Sequence, residues 1–311
     1  MKILFITPHL STGGLPQYLL RTIQVLSPVH NVYLIEYHDC TGGKLVVQRN
    51  QLVSLLKDRF FSLGEDKRLI LSLISKISPD VIHLAEIPEL FLNYKIAELI
   101  YNNKTPIIET SHDSSFNIKD KRFLPDKFVL VSEFQRQLFE SLGVPIEIAD
   151  YPIEFKERLD RDSTLKFLGL DPSIFHILNI GLFTLRKNQA EIIEYAKQLL
   201  NYNVQFHFIG NQADNFKSYW EPLMKDLPSN CKIWGERIDT GTFYSSMDLF
   251  LFTSKGTQTD KETMPLVLKE AVSWRIPVLA YNLPVYLGYF DKFNIEYLDE
   301  FSDNLERIKK K

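Results

Sequence analysis

Short runs of β-branched and aromatic residues alternate with longer stretches of helical apolar spacing along this chain, and near its middle the alternation stops and begins again. That rhythm belongs to βαβ units and parallel sheets. In the first half it predicts strands over residues 2–7, 31–37, 80–84, 106–110 and 127–132, with helices over 15–26, 67–77, 89–102 and 134–142. In the second half it predicts strands over 174–181, 204–210, 231–235, 248–254 and 276–281. The runs are apolar almost throughout, so both faces of each sheet should be covered by helices. Residues 149–172 hold many charges, Pro152 and Pro172, but no sheet-like run, which marks a linker. The expectation is two doubly wound α/β domains, 1–152 and 153–311. Ligands in such folds bind beyond the carboxyl ends of the strands.

A chain of 311 residues, 45% of them hydrophobic, can fill two cores of this kind. The formal net charge is -3, and each half carries slightly more acidic than basic side chains, so no nucleic-acid partner is expected. Cys40 and Cys231 lie far apart and make no metal-ligand spacing, as suits free thiols in a reducing compartment. The first residues, MKILFITPHL, read as a strand rather than a secretory signal. No run approaches the roughly 18 uninterrupted apolar residues of a membrane helix. A cytoplasmic protein is the expectation, with at most a weak, salt-sensitive peripheral membrane contact through Arg307-Ile308-Lys309-Lys310-Lys311.

Chemistry is to be sought in the strand-end loops. The first strand leads through His9-Leu10-Ser11-Thr12 into Gly13-Gly14, just before an apolar-periodic helix. Paired glycines let backbone amides approach an anion at a helix N-terminus, although a flexible turn explains them equally well. The GxGxxG spacing of dinucleotide folds is missing. His112, in Thr110-Ser111-His112-Asp113, stands where it could donate a hydrogen bond to a sugar or phosphate; the simpler reading is a solvated loop histidine capped by Asp113. His83 has the same ambiguity.

In the second half, Arg186-Lys187 stand at the start of a predicted helix, against the usual preference for acidic residues there. An anion would explain the placement: a diphosphate would be neutralised by both side chains, which should lie exposed without it. Glu262 and Glu270 are separated by seven residues, Glu262 in a loop and Glu270 on a helix that Pro265 starts and whose Leu266, Val267 and Ala271 should face inward. The loop carboxylate can reach a hexose, and the helix carboxylate can accept bonds from ribose hydroxyls.

Taken in this order, the segments resemble the retaining GT-B glycosyltransferases of family 4, also called glycosyltransferase group 1. The resemblance rests on the opening strand with Gly13-Gly14, PDVIH at 79–83, His112-Asp113, VSEFQRQLFESLGVP at 131–145, Arg186-Lys187, and the spaced Glu262 and Glu270. It implies a GT-B architecture, two Rossmann-like domains facing each other across a cleft, and transfer of a sugar from a nucleotide diphosphate donor to a glycan or lipid-linked acceptor without a metal cofactor. By the same resemblance His112, Arg186, Lys187 and Glu262 would be catalytic, while Gly13, Gly14, Thr263, Met264, Leu266 and Glu270 would hold the nucleotide-sugar. Thr263-Met264 stands where relatives commonly carry Gly-Phe.

Three other readings compete. A metal-dependent GT-A transferase would use a DxD, which Asp160-Arg161-Asp162 matches literally; placed in the linker, it reads as a solvated charge cluster. A nucleotide-sugar epimerase of the same fold would need no acceptor. A non-catalytic nucleotide-sugar binding subunit is the third, and the retention of both glutamates and the basic pair argues against it.

Overall fold

The computed structural model describes the chain except for residues 12, 39–45, 65, 152, 257–260, 294 and 311, so Thr12, Cys40, Pro152 and Lys311 lie outside the described residues. The chain divides into two compact units, Met1–Asp150 and Tyr151–Lys311. Each is an open α/β layer structure of the Rossmann-like kind.

The first unit carries β1 (Lys2–Thr7), β2 (Asn31–Glu36), β3 (Phe60–Ser62), β4 (Val81–Ala85), β5 (Ile107–Thr110), β6 (Lys127–Leu130) and β7 (Ile146–Ile148). They form one seven-stranded sheet in the order β3-β2-β1-β4-β5-β6-β7, with parallel pairing throughout. On one face Leu4, Ile6, Ile82 and Leu84 pack with Ile70 and Ile74 of the Leu69–Ile77 helix and with Ala97 and Ile100 of the Tyr94–Tyr101 helix. The apolar runs of the central strands follow from this, because a buried strand has no solvent face to mark with polar residues.

The second unit carries β8 (Phe175–Ile180), β9 (Val204–Ile209), β10 (Cys231–Gly235), β11 (Leu249–Phe252), β12 (Val278–Ala280) and β13 (Ile295–Tyr297) in the parallel order β10-β9-β8-β11-β12-β13. Its core joins Ile177, Phe206, Phe208 and Leu251 to Ile192, Ile193 and Ala196 of the Gln189–Gln198 helix. Backbones approach closely at the ends of β8 and β9. A Cβ on Gly210, whose φ is +151°, would stand 1.9 Å from the Gly181 carbonyl oxygen, so only glycine fits.

All ten expected strands form. β3, β7 and β13 were not expected; each has three residues, lies at a sheet edge and has one neighbour, so its sequence carries no continuous apolar run. The expected helix over 89–102 is two, Pro88–Phe91 and Tyr94–Tyr101, because the Asn93 side chain caps a new start by accepting the Lys95 N–H at 2.9 Å. The Val47–Leu56 helix was also unforeseen; it buries only Leu52 and Leu56, too little to print a stripe.

The linker contains a helix, Arg161–Phe167, capped by Asp160, which accepts the Ser163 N–H at 2.9 Å. The Asp160-Arg161-Asp162 segment is therefore more than solvated charge. Arg161 forms a fork with Asp248 at 2.7 and 2.8 Å and donates to the carbonyls of Pro172 and Ile174 at 2.9 and 3.0 Å, which ties this helix to the second sheet. Among the described residues no helix is long and apolar enough to cross a membrane.

Candidate functional site

In each sheet the strand order reverses once, between β1 and β4 and between β8 and β11. Connections leaving such neighbours diverge, and the space between them at the carboxyl ends is where ligands of open sheets bind. Both reversal points carry residues singled out by the sequence.

In the second unit, β8 leads into the turn that holds Arg186 and Lys187, and β11 leads into Thr253 and Ser254. The two ends are laced together. Thr253 Oγ1 lies 2.9 Å from the Asn188 carbonyl, Ser254 Oγ lies 2.9 Å from that of Arg186, and the Lys255 N–H donates to the same Arg186 carbonyl at 3.2 Å. Asn188 takes a left-handed conformation, φ 55°, and the helix begins after it at Gln189. Arg186 and Lys187 consequently precede the helix, and its first turn holds Glu191. The expected clash of two cations with a first turn does not arise.

The two cations are not exposed as expected. Lys187 Nζ donates to Glu262 Oε1 at 2.6 Å and Arg186 Nε stands 3.9 Å from the same oxygen, while Ser254 Oγ reaches it at 2.5 Å. Arg186 also donates to the Lys261 carbonyl at 3.0 Å. The reason is electrostatic: Glu262 is 5% exposed, and a buried carboxylate needs positive partners. Burial alone pushes its carboxyl up, but the Lys187 and Arg186 charges overcome this and hold it below the ordinary carboxylate range. Lys187 Nζ further sits 5.3 Å from the centre of the Phe252 ring.

Glu270 lies on the next helix. It occupies the second turn of the Leu266–Ser273 helix, half-buried, with Oε2 3.3 Å from the Tyr244 hydroxyl. Leu268, Ala271 and Val272 are the apolar side chains this helix buries; Leu266 and Val267, expected to face inward, are half-buried. Thr263 and Met264 are buried just before it. Ser254 and Tyr244 escaped sequence reasoning. Ser254 had a signal, its place at the end of the DLFLFTS run, whereas Tyr244 had none.

In the first unit, Gly13 has φ +146° and opens the Gly14–Leu26 helix; a Cβ on either glycine would meet nothing within 4 Å. Tyr18 of that helix packs edge-on against the His112 ring, centroids 4.8 Å apart. His112 is thus no solvated loop residue capped by Asp113: burial pushes its imidazole down to about 4, so it is neutral near pH 7. Asp113 instead accepts the Ser115 N–H at 2.6 Å. His83 is buried and shares a 2.6 Å hydrogen bond with Thr110 Oγ1, stacked on Phe5 at 4.7 Å. Glu86, unnoticed in the sequence, accepts the backbone N–H of His112.

Residues 160–311 match the model of the family described as glycosyl transferases group 1. No curated protein matches the chain in sequence. Among solved structures, the Anabaena protein HepE, in complex with UDP and glucose, superposes with a TM-score of 0.77 at 15% identity, covering 100% of this chain and 89% of that one. Sucrose-phosphate synthase of Thermosynechococcus elongatus gives 0.69 at 13% identity, covering 99% and 89%. WaaG, a glycosyltransferase involved in lipopolysaccharide biosynthesis, gives 0.67 at 14%, covering 99% and 90%. Residues 160–311 thus carry the signature of glycosyl transferases group 1, within a chain whose whole length adopts the GT-B fold of solved glycosyltransferases.

Proposed function

We propose that the protein is a retaining glycosyltransferase that moves a hexose from a nucleotide diphosphate donor to a glycan or lipid-linked acceptor. The observation that carries this reading is the convergence of Lys187, Arg186 and Glu262 at the reversal between β8 and β11, in the unit that matches the family. A departing nucleotide diphosphate needs positive charge where it leaves. Lys187 and Arg186 supply it, preorganised by the hydrogen bonds that lace the two strand ends, and this stabilisation takes the place of a metal. Without donor, Glu262 occupies the cations. Donor phosphates draw them away and free the Glu262 carboxylate to bind hydroxyls of the transferred sugar. Glu270 takes the ribose hydroxyls, oriented by the Tyr244 hydroxyl, and Gly13, Gly14, Thr263, Met264 and Leu266 shape the donor's surroundings. The neutral His112 of the first unit donates a hydrogen bond to the sugar.

HepE was solved with UDP and glucose, which makes UDP-glucose the first donor to try. Any attachment to anionic membranes should be weak, because Arg307 and Lys309 of the basic tail already pair with Glu296, Asp299 and Glu306.

A thermal-shift screen of nucleotide diphosphate sugars identifies the donor, since ligand bound to the folded state raises its melting temperature. Transfer to a sugar acceptor is then followed by NMR in the presence of EDTA. The expected product keeps the donor's anomeric configuration and forms undiminished in the chelator; inversion, or abolition by EDTA, contradicts the proposal. Glu270→Ala should weaken UDP binding more than it slows turnover, because ribose contacts exist in ground and transition states alike.

A further inference from the structure

The reversal point of the first sheet carries a carboxylate that the donor chemistry above does not use. Glu86 follows β4 directly, and its backbone sits at φ 125°, a conformation glycine adopts freely and a residue with a Cβ does not. The side chain is nevertheless buried, at 8% exposure. Its oxygens face the loop after β5. Oε1 and Oε2 lie 3.2 and 3.3 Å from the His112 N–H nitrogen, Oε1 accepts the Ile87 N–H at 3.1 Å, and Ser111 Oγ is 3.4 Å from Oε1. Backbone strain that delivers a buried carboxylate to the N–H of a neighbouring loop is characteristic of built sites rather than of packing.

We propose that Glu86 is a positioning residue: its carboxylate grips the His112 N–H, bridges the loops after β4 and β5, and so sets the direction of the His112 imidazole. The consequence for turnover rests on the glycosyltransferase reading; the grip itself does not.

The groups facing Glu86 are His112 and Asp113 from the loop after β5, Glu109 from β5, and Tyr37 after β2. The Glu86 carboxyl is raised to about 7, chiefly by burial, with the His112 and Ile87 N–H groups pulling it down and Asp113 and Glu109 pushing it up. The His112 imidazole, at about 4, is already neutral there, and burial together with Glu86 keeps the Tyr37 hydroxyl protonated. Near pH 7, then, Glu86 and Glu109 change charge while His112 does not, and of the two carboxylates it is Glu86 that holds the His112 N–H. On protonation one of its oxygens becomes an O–H donor and the negative charge is lost, so the His112 N–H is left to a single neutral carbonyl oxygen and the grip weakens.

The test uses the full chain with 15N-labelled histidine and the variant Glu86→Gln, which keeps the shape, removes the titration and turns one acceptor into a donor. In the wild type the His112 ring signals are expected to shift in a step near pH 7 without the ring itself ionising; the step persists in Glu109→Gln, which removes the other carboxyl titrating there, and is absent in Glu86→Gln. With UDP-glucose, or another donor found by the screen, kcat at pH 8 should fall roughly tenfold with the donor KM unchanged, the cost of a misdirected group. The acid limb near pH 7 should vanish with it. Glu86→Gly, which relaxes the backbone, should melt cooperatively and show the same loss of kcat. A ring-signal step that survives in Glu86→Gln overturns the proposal, and so does wild-type kcat in either variant. If the ring signals behave as expected while the wild type transfers sugar from no donor, the functional reading fails and the positioning role stands.

Discussion

Lys187 and Glu262 form a 2.6 Å ion pair on which the proposed chemistry and the stability of the loop both depend. Lys187 is the nearest charge to a carboxylate that is 5% exposed, and Arg186, at 3.9 Å, is a weaker partner. Lys187→Ala should lower turnover roughly 100-fold, the scale associated with losing one preorganised charge-stabilising group. It should also lower stability, because a buried charge stripped of its partner costs about 3 kcal/mol. The fold of this variant is therefore less secure than an exposed lysine would suggest. The double variant Lys187→Ala with Glu262→Gln removes the stranded charge, so its urea midpoint should return most of the way to wild type while turnover stays low. A double variant as unstable as the single one would show that the pair is not what holds this loop.

At the scale of elements, the segment before β8 is an anchored helix rather than a tether. Arg161 makes five hydrogen bonds, two of them to Asp248, 87 residues away. Arg161→Ala leaves Asp248 and two carbonyls without this donor and should cost about 2 kcal/mol, read from the urea midpoint. Arg161→Lys should recover little, because an ammonium cannot form the fork. Full recovery by lysine would mean that charge alone, not planar geometry, holds the helix.

For the whole molecule, acid should act unequally on the two units. In the folded protein His83 and His207 sit at about 3 and His112 at about 4, all lowered by burial from the 6.5 of an exposed imidazole. Burial lowers His9 and His176 in the same direction. A lowered histidine favours unfolding as the pH drops below 6.5. Glu86 and Glu109, pushed up by burial from 4.5 to about 7, do the opposite: the folded state takes up protons first, so acid favours folding between pH 7 and 4.5. Both belong to the first unit, where they offset much of the loss at His9, His83 and His112. In the second unit His176 and His207 lose stabilisation over that range, and Glu191 and Glu262, whose carboxyls are held low, lose theirs as the pH falls through and below the ordinary carboxylate range. Trp220, Trp234 and Trp274 all lie in the second unit, so tryptophan fluorescence reports it alone. On acidification the fluorescence transition should come at higher pH than the remaining loss of far-UV circular dichroism. Coincident curves would contradict this division.

The ten expected strands, the restart after the linker and the placement of Arg186, Lys187 and Glu262 in strand-end loops were legible in the chain because each is a local property, set by residue type and spacing over a few positions. The edge strands were not, since a strand with one neighbour needs no continuous apolar run. Nor were the partners. Lys187 meets Glu262 across 75 residues and His112 meets Glu86 across 26, and each meeting depends on which strands become neighbours, β8 with β11 at the reversal of the second sheet and β4 with β5 in the first. Periodicity announces a strand without naming its place in the order. The charge state of Glu262 and the direction of His112 were decided only when burial removed water and left each group the partner that the strand order had brought beside it.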